Sequence, residues 1–117
     1  MILCVMDDLM FSIKISSTAK SIGGIDVFFE RTPDLVLATI RDKRPSLVIF
    51  DLNSVRMNPM AALAAMKEDS ELAGIRTLGF VSHVDSATIG AARAAGIDQV
   101  LARSAFSAQL GSILTGA

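Results

Sequence analysis

Short apolar runs alternate along this chain with longer segments in which apolar residues recur every three or four positions. The runs predict five β-strands, and the segments between them predict helices. We expect the strands at residues 2–6, 26–29, 47–50, 76–81 and 99–102. The first, third and fourth runs are almost continuously apolar, which is typical of strands covered by helices on both faces. The pattern predicts a doubly wound α/β fold with one parallel sheet, in a single domain over residues 1–117.

The segments between the strands contain residues that start or stop helices. In the first segment Phe11, Ile15, Ala19 and Ile22 form one apolar stripe, and Gly23 ends it. The other predicted starts are Thr32 as a cap before Pro33, Asn58 before Pro59, and the beginnings of segments 86–95 and 107–114. Each strand is therefore expected to lead into a helix.

The composition narrows the possible functions. Hydrophobic residues make up 51%, and 11 basic residues face 12 acidic ones, which excludes a disordered chain and gives no reason to expect nucleic acid. The single cysteine, Cys4, lies in an apolar run, so we expect a buried, inert thiol. The longest apolar stretch, residues 60–66, is far shorter than the roughly 20 residues of a membrane helix. We therefore expect a cytoplasmic protein without membrane contact and with a protein or small-molecule partner.

Acidic residues directly follow the first and third predicted strands. Asp7 and Asp8 come after the first run, and Asp51 comes after the third. The crevice of an open parallel sheet lies beyond the carboxyl ends of its strands, so these three carboxylates are expected to lie close together. Three carboxylates close together repel one another, so we expect a cation to bind among them. The alternative is that each aspartate only caps a helix or a turn after its strand.

These residues give the chain a resemblance to the receiver domain of two-component response regulators, over essentially its whole length. The resemblance rests on the acid pair in Val5-Met6-Asp7-Asp8, the acceptor segment 47–53, the hydroxyl that ends Gly79-Phe80-Val81-Ser82, and the segment Ala95-Gly96-Ile97-Asp98 before a basic residue at 103. It implies a flavodoxin-like sheet in the order 2-1-3-4-5. It also implies a divergent, stand-alone receiver that signals through protein contacts and is not a turnover enzyme.

The resemblance also implies a role for each candidate residue. Asp51 would accept a phosphoryl group, and Asp7 and Asp8 would hold Mg²⁺. The main-chain carbonyl of Asn53 is a further ligand of the kind that Mg²⁺ prefers. Ser82 would donate to a phosphoryl oxygen and Arg103 would supply a cation opposite the metal. The alternative for Ser82 is capping of the following helix.

The chain departs from the family pattern at three positions near the fifth strand. Arg103 replaces the family lysine, and its planar fork could pair with Asp51 in a bidentate way. Ser104 replaces the proline that follows that lysine, so the peptide before it is expected to be trans. Val100 replaces the aromatic residue that moves with the hydroxyl, which puts switching by that route in doubt.

Two further residues at the same edge leave alternatives open. The acid pair lies one residue further from the start of the apolar run than expected, so Met6 and Asp7 could take its place, although Asp7 and Asp8 are preferred. His83, the sole histidine, could tune Asp51 or contact a partner. A solvated loop residue is the more common role for such a histidine.

Two functions follow from this reading. The first is a receiver that takes a phosphoryl group from a histidine kinase or a phosphotransfer protein. The second is a degenerate pseudo-receiver that binds partners or itself through the fourth helix, fifth strand and fifth helix, independently of phosphate. A flavodoxin-like cofactor enzyme is disfavoured, because the first strand leads into Asp7 and Asp8 rather than into a phosphate-binding loop.

Overall fold

The strands pair side by side in one parallel sheet, in a computed structural model that describes residues 1–82 and 85–116. The strands are β1 (Ile2–Val5), β2 (Val27–Glu30), β3 (Leu47–Asp51), β4 (Arg76–Val81) and β5 (Gln99–Ala102). They lie in the order β2-β1-β3-β4-β5, and each neighbouring pair is parallel. The predicted α/β fold and the strand order implied by the resemblance are therefore confirmed.

The register of the sheet brings the strand ends into line. Val5 pairs with Phe50, and Asp51 pairs with Phe80. The predicted limits of β4 and β5 agree with the structure, whereas β1 ends one residue earlier, β2 is shifted by one residue, and β3 includes Asp51. Because all strands run the same way, the residues that follow β1, β3, β4 and β5 meet at one edge of the sheet, which we call the carboxyl edge.

Six α-helices lie within the described residues. They are α1 (Leu9–Ile22), α2 (Val36–Lys43), α3 (Pro59–Glu68), α4 (Ser86–Ala94), α5 (Arg103–Ala108) and α6 (Leu110–Thr115). The third helix begins at Pro59 as predicted, and the fourth begins at Ser86 and ends one residue early. The helices return the chain from the carboxyl edge to the opposite edge of the sheet.

Two helix predictions were wrong in detail. Residues Pro33–Leu35 form a tight 3₁₀ turn before α2, and the side chain of Thr32 makes no capping bond. Such turns are common where helices begin. The last helix starts at Arg103 instead of residue 107, and it divides at Gln109 into α5 and α6. The sequence pattern missed this start because Phe106, the first fully buried residue of α5, lies before the predicted segment.

The core consists of two clusters, one on each face of the sheet. Successive residues of β1 alternate between them, with Leu3 and Val5 in one cluster and Cys4 in the other. The first cluster contains buried residues of α2, α3 and α4, and the second contains those of α1, α5 and α6. Burying each large apolar side chain contributes about 1.5–3 kcal/mol. Helix packing on both faces thus fixes the sheet that presents the carboxyl edge.

Cys4 is fully buried in the second cluster, and burial raises the pKa of its thiol. The thiol is therefore protonated and inert, as the sequence predicted. Among the residues described, no helix is both long enough and apolar enough to span a membrane.

Candidate functional site

Asp51 is the last residue of β3, at the carboxyl edge, and only 8% of its surface is exposed. Its Oδ1 accepts a hydrogen bond from the main-chain N–H of Asn53 at 3.1 Å. Within the described part of the chain, no residue donates a hydrogen bond to its Oδ2. Burial raises the pKa of Asp51, and the charges of Asp7 and Asp8 raise it further, against the opposing effects of the Asn53 N–H and of Arg103. Asp51 is thus a poorly solvated carboxylate with a raised pKa, and only its Oδ1 has a donor among the described residues.

Asp8 caps α1 and also binds an arginine. Its Oδ1 accepts from the N–H of Phe11 at 3.0 Å, and its Oδ2 accepts from Nη2 of Arg103 at 3.0 Å. The Phe11 N–H is the main reason that the pKa of Asp8 is lowered, and the Arg103 guanidinium lowers it further. The capping interpretation is therefore correct for Asp8, but it describes only one of the two carboxylate oxygens.

Asp7 is bound to the loop between β3 and α3. Its Oδ1 accepts from the hydroxyl of Ser54 at 3.0 Å, and its Oδ2 lies 3.6 Å from Nη1 of Arg56. The same Nη1 donates to the main-chain carbonyl of Arg31 at 2.7 Å, just after β2. Sequence reasoning missed Ser54 and Arg56. The available signal was their position three and five residues after Asp51, in a loop that leaves the same edge.

Arg103 is held at three points. Besides its bond to Asp8, its Nη1 lies 3.4 Å from the hydroxyl of Ser82, and its guanidinium carbon lies 4.2 Å from the centre of the Phe11 ring. The predicted pairing of Arg103 with Asp51 is wrong: Arg103 pairs with Asp8 instead. The cause is geometric, because the Phe11 ring in α1 supports the guanidinium plane beside the residue that caps α1.

The ring under Arg103 belongs to a buried aromatic cluster. Phe11 packs against Phe80 of β4 with ring centres 5.0 Å apart, and Phe80 stacks on Phe106 of α5 at 4.9 Å. The cluster joins three elements that meet at the carboxyl edge. It fixes the platform on which Arg103 rests.

Ser82 and Asn53 connect the exits of β4 and β3. The main-chain N–H of Ser82 donates to the side-chain carbonyl of Asn53 at 2.6 Å. The capping alternative for Ser82 is wrong, because Asp85 caps α4 by accepting from the N–H of Ala87 at 2.9 Å. His83, which the sequence analysis left open, lies outside the described residues.

Three further expectations concern this edge. The described residues contain no cis peptide bond, so the predicted trans bond between Arg103 and Ser104 is confirmed. Met6 is fully buried in the second core cluster, so it does not replace an aspartate at the edge. Val100 is half-buried in β5 and packs against the first core cluster.

The side chains of the predicted Mg²⁺ ligands Asp7 and Asp8 are engaged by donors from the chain itself. Their oxygen atoms are of the right chemical kind. Among the residues that the structure describes, however, no three acidic, histidine or cysteine side chains are grouped so that they could hold a metal ion. The two oxygens of Asp7 face Ser54 and Arg56, and those of Asp8 face the Phe11 N–H and Arg103. Donors from the chain itself therefore surround the acid pair.

Comparison with known proteins shows where this fold occurs. No family model and no curated protein sequence matches the chain. A two-component response regulator from Legionella pneumophila has a similar structure, with a TM-score of 0.83 and 19% identity over 99% of this chain and 98% of the other. The Mn²⁺-bound response regulator Rcp1 gives 0.80 and 18% over 96% and 89%. The phosphorylated cyanobacterial phytochrome response regulator RcpA gives 0.78 and 22% over 98% and 89%. The chain thus has the fold of response regulator receiver domains.

Proposed function

We propose that this chain is a receiver domain of a two-component system, in which Asp51 accepts a phosphoryl group from a histidine kinase or a phosphotransfer protein. The observation that carries the proposal is the state of Asp51. It is nearly buried at the end of a central strand, with its Oδ1 bonded to the Asn53 N–H and no donor to its Oδ2 among the described residues. The capping of the turn by Oδ1 accounts for one carboxylate oxygen, and burial of the whole group raises its pKa, so the acid is a destabilising group at this position.

The proposed step is a transfer between a nitrogen and an oxygen. The Oδ2 of ionised Asp51 attacks the phosphorus of a phosphohistidine, so that an O–P bond forms and the P–N bond breaks. The electron pair of the broken bond goes to the imidazole nitrogen, which takes a proton from solvent. Asp51 then holds an acyl phosphate. The ionised form of Asp51 carries no proton to be removed, so the attack needs no general base.

Two side chains beside Asp51 are suited to receive the new charge. Arg103 and the Ser82 hydroxyl lie together at the exits of β5 and β4, 3.4 Å apart. Arg103 is near enough to lower the pKa of Asp51, and each of the two groups can donate to a phosphoryl oxygen. Their proposed role is to stabilise the phosphorylated form of the domain.

The Mg²⁺ predicted at Asp7, Asp8, Asp51 and the Asn53 carbonyl has no role in this proposed step. A divalent ion at the acid pair would have to meet carboxylates that Arg56 and Arg103 already hold. The Mn²⁺-bound structure is that of Rcp1, and it describes metal binding by that protein.

Incubation with phosphoimidazole tests the proposal, because its P–N bond resembles that of phosphohistidine. Intact-protein mass spectrometry should show the gain of one phosphoryl group by the native protein, and Asp51→Asn should show none because the nucleophile is gone. Asp42→Asn, which changes an exposed acid of α2, should gain the group as the native protein does. Equal modification of native protein and Asp51→Asn would contradict the proposal. Each reaction is run with Mg²⁺ and with a chelator.

The second candidate is a pseudo-receiver that binds partners or itself through α4, β5 and α5 without phosphorylation. Two observations favour it: chain donors surround the acid pair, and Val100 stands where an aromatic residue would move. In that case Asp51→Asn would leave self-association or partner binding unchanged. Sedimentation of native protein and variant, before and after phosphodonor, separates the two candidates.

A further inference from the structure

The acid pair at the exit of β1 faces two arginines from distant parts of the chain. Arg103 binds Asp8 at 3.0 Å, and Arg56 lies 3.6 Å from Asp7. We propose that these arginines are built-in counter-cations, so that the carboxyl edge keeps its arrangement without a divalent ion and binds one only in competition with them.

The position of Arg103 is determined by more than its charge. Its guanidinium stacks on Phe11, donates to Asp8, and lies beside the Ser82 hydroxyl. The planar guanidinium makes these contacts through different atoms, with its two terminal nitrogens facing Ser82 and Asp8 and its central carbon over the ring. Because Phe11 belongs to a buried aromatic cluster, the guanidinium rests on a rigid platform. An ion that binds Asp8 must therefore approach the carboxylate against the charge of this guanidinium.

Arg56 has a more exposed side chain, at 59%, and is held by two contacts. Its Nη1 donates to the carbonyl of Arg31 at the exit of β2 and also faces Asp7 at the exit of β1. Asp7 is bound in addition by Ser54, which lies two residues before Arg56 in the same loop. The loop after β3 therefore supplies both a hydroxyl and a cation to one carboxylate. This links the exits of three adjacent strands without a metal ion.

The charge balance is the same as that of a metal site. Two guanidinium groups bring the same positive charge to Asp7, Asp8 and Asp51 as one divalent cation would bring. A divalent ion added beside the arginines would turn a small negative excess into a positive one, and this repulsion weakens its binding. Removing one arginine leaves two net negative charges, which one divalent ion would neutralise. Metal affinity should therefore rise when either arginine is removed.

Calorimetric titration with Mn²⁺, without any phosphodonor, tests this inference independently of phosphorylation. Arg103→Met and Arg56→Met keep most of the apolar stem but remove the charge. Each should bind Mn²⁺ roughly fivefold more tightly than the native protein. The matched control is Arg41→Met, which removes an arginine from an ion pair with Asp69 at 3.2 Å at the opposite edge of the sheet, and its affinity should equal the native value. Native protein that binds Mn²⁺ as tightly as both edge variants would overturn the inference.

Thermal unfolding provides a second test, which remains informative if the variants are less stable than the native protein. The chain contains no tryptophan or tyrosine, so circular dichroism is the suitable probe. In a chelator both edge variants should melt below the native protein, and Mn²⁺ should raise their midpoints more than it raises the native midpoint. The double variant Arg103→Met, Asp8→Asn should lose this extra rise, because the released carboxylate is gone. Variants that melt early and are not rescued by Mn²⁺ would show that the arginines are structural, which contradicts the proposal.

Discussion

The two edges of the sheet carry ion pairs of nearly the same length in very different surroundings. Arg103 binds Asp8 at 3.0 Å at the carboxyl edge, and Arg41 binds Asp69 at 3.2 Å at the opposite edge. Arg103 also stacks on the buried ring of Phe11, whereas the side chain of Arg41 is 55% exposed. The comparison shows that the surroundings of an ion pair, more than its length, determine whether it contributes to the structure of a site or is only a surface contact.

The carboxyl edge also holds two acids with opposite pKa shifts. The Phe11 N–H and Arg103 lower the pKa of Asp8, while burial raises the pKa of Asp51. At the opposite edge the pKa of Asp69 is lowered, first by the Glu71 N–H and then by Arg41. Neighbouring acids whose pKa values are driven apart are typical of functional sites. Asp51, the acid with the raised pKa, is the proposed nucleophile.

Removal of the ring under Arg103 should have the largest effect on stability. Phe11→Ala deletes a buried ring and the support of the guanidinium, and it should lower the free energy of unfolding by about 3–5 kcal/mol. Phe28→Ala is the matched control, because the Phe28 ring lies 4.4 Å from the ammonium of Lys43 and is 39% exposed. It should cost at most about 1 kcal/mol. Urea unfolding followed by circular dichroism measures the free energy of unfolding of both variants. Equal losses of stability would contradict the prediction that the two cation–ring contacts differ.

Substitution of Asp8 should have an intermediate effect. Asp8→Ala removes the cap of α1 and should cost about 1–2 kcal/mol. Asp8→Asn keeps a capping oxygen and should cost less. Because the folded protein has a lowered pKa at Asp8, its contribution is present above the unfolded pKa of about 3.9 and is lost as the pH falls through the folded value. Urea midpoints of native protein should therefore fall in acid more steeply than those of Asp8→Asn. Parallel curves would contradict the assigned pKa shift.

Substitution of Asp51 should have the smallest effect, and of the opposite sign. A raised folded pKa means that the stabilising contribution of Asp51 is complete below the unfolded pKa of about 3.9 and is lost as the pH rises through the folded value. At neutral pH Asp51→Asn should therefore melt above the native protein, by roughly 2–5 °C. The difference should vanish near pH 3, where both side chains are uncharged. Asp42→Asn, at an exposed position of α2, should show neither effect.

The fold could be predicted from the sequence because its signals are local. Continuous apolar runs marked the covered strands, and the limits of β4 and β5 were predicted to the residue. The apolar pattern after β5 predicted a helix that starts too late, at residue 107. Phe106 already packs in the core before that position. Periodicity identifies a helix better than it identifies the ends of that helix.

The partners within the site were harder to predict, because they come from distant parts of the chain. The acid pair and Asp51 follow apolar runs, so their place at one edge follows from strand direction. Arg103 lies 95 positions from Asp8, and Ser54 lies 47 from Asp7. No local pattern shows which carboxylate a flexible arginine will bind. The choice of Asp8 over Asp51 depends on the ring of Phe11, which only the tertiary structure places below the guanidinium.

The most direct test of the central claim is the chemical nature of any bond formed at Asp51. Native protein is incubated with acetyl phosphate, and its intact mass is measured before and after mild alkali, which hydrolyses an acyl phosphate but leaves a serine phosphate intact. We predict a gain of one phosphoryl group that alkali removes and that Asp51→Asn never acquires. A native protein that stays unmodified while a competent receiver reacts in parallel, or a phosphoryl group that survives alkali, would contradict the assignment of Asp51 as the acceptor.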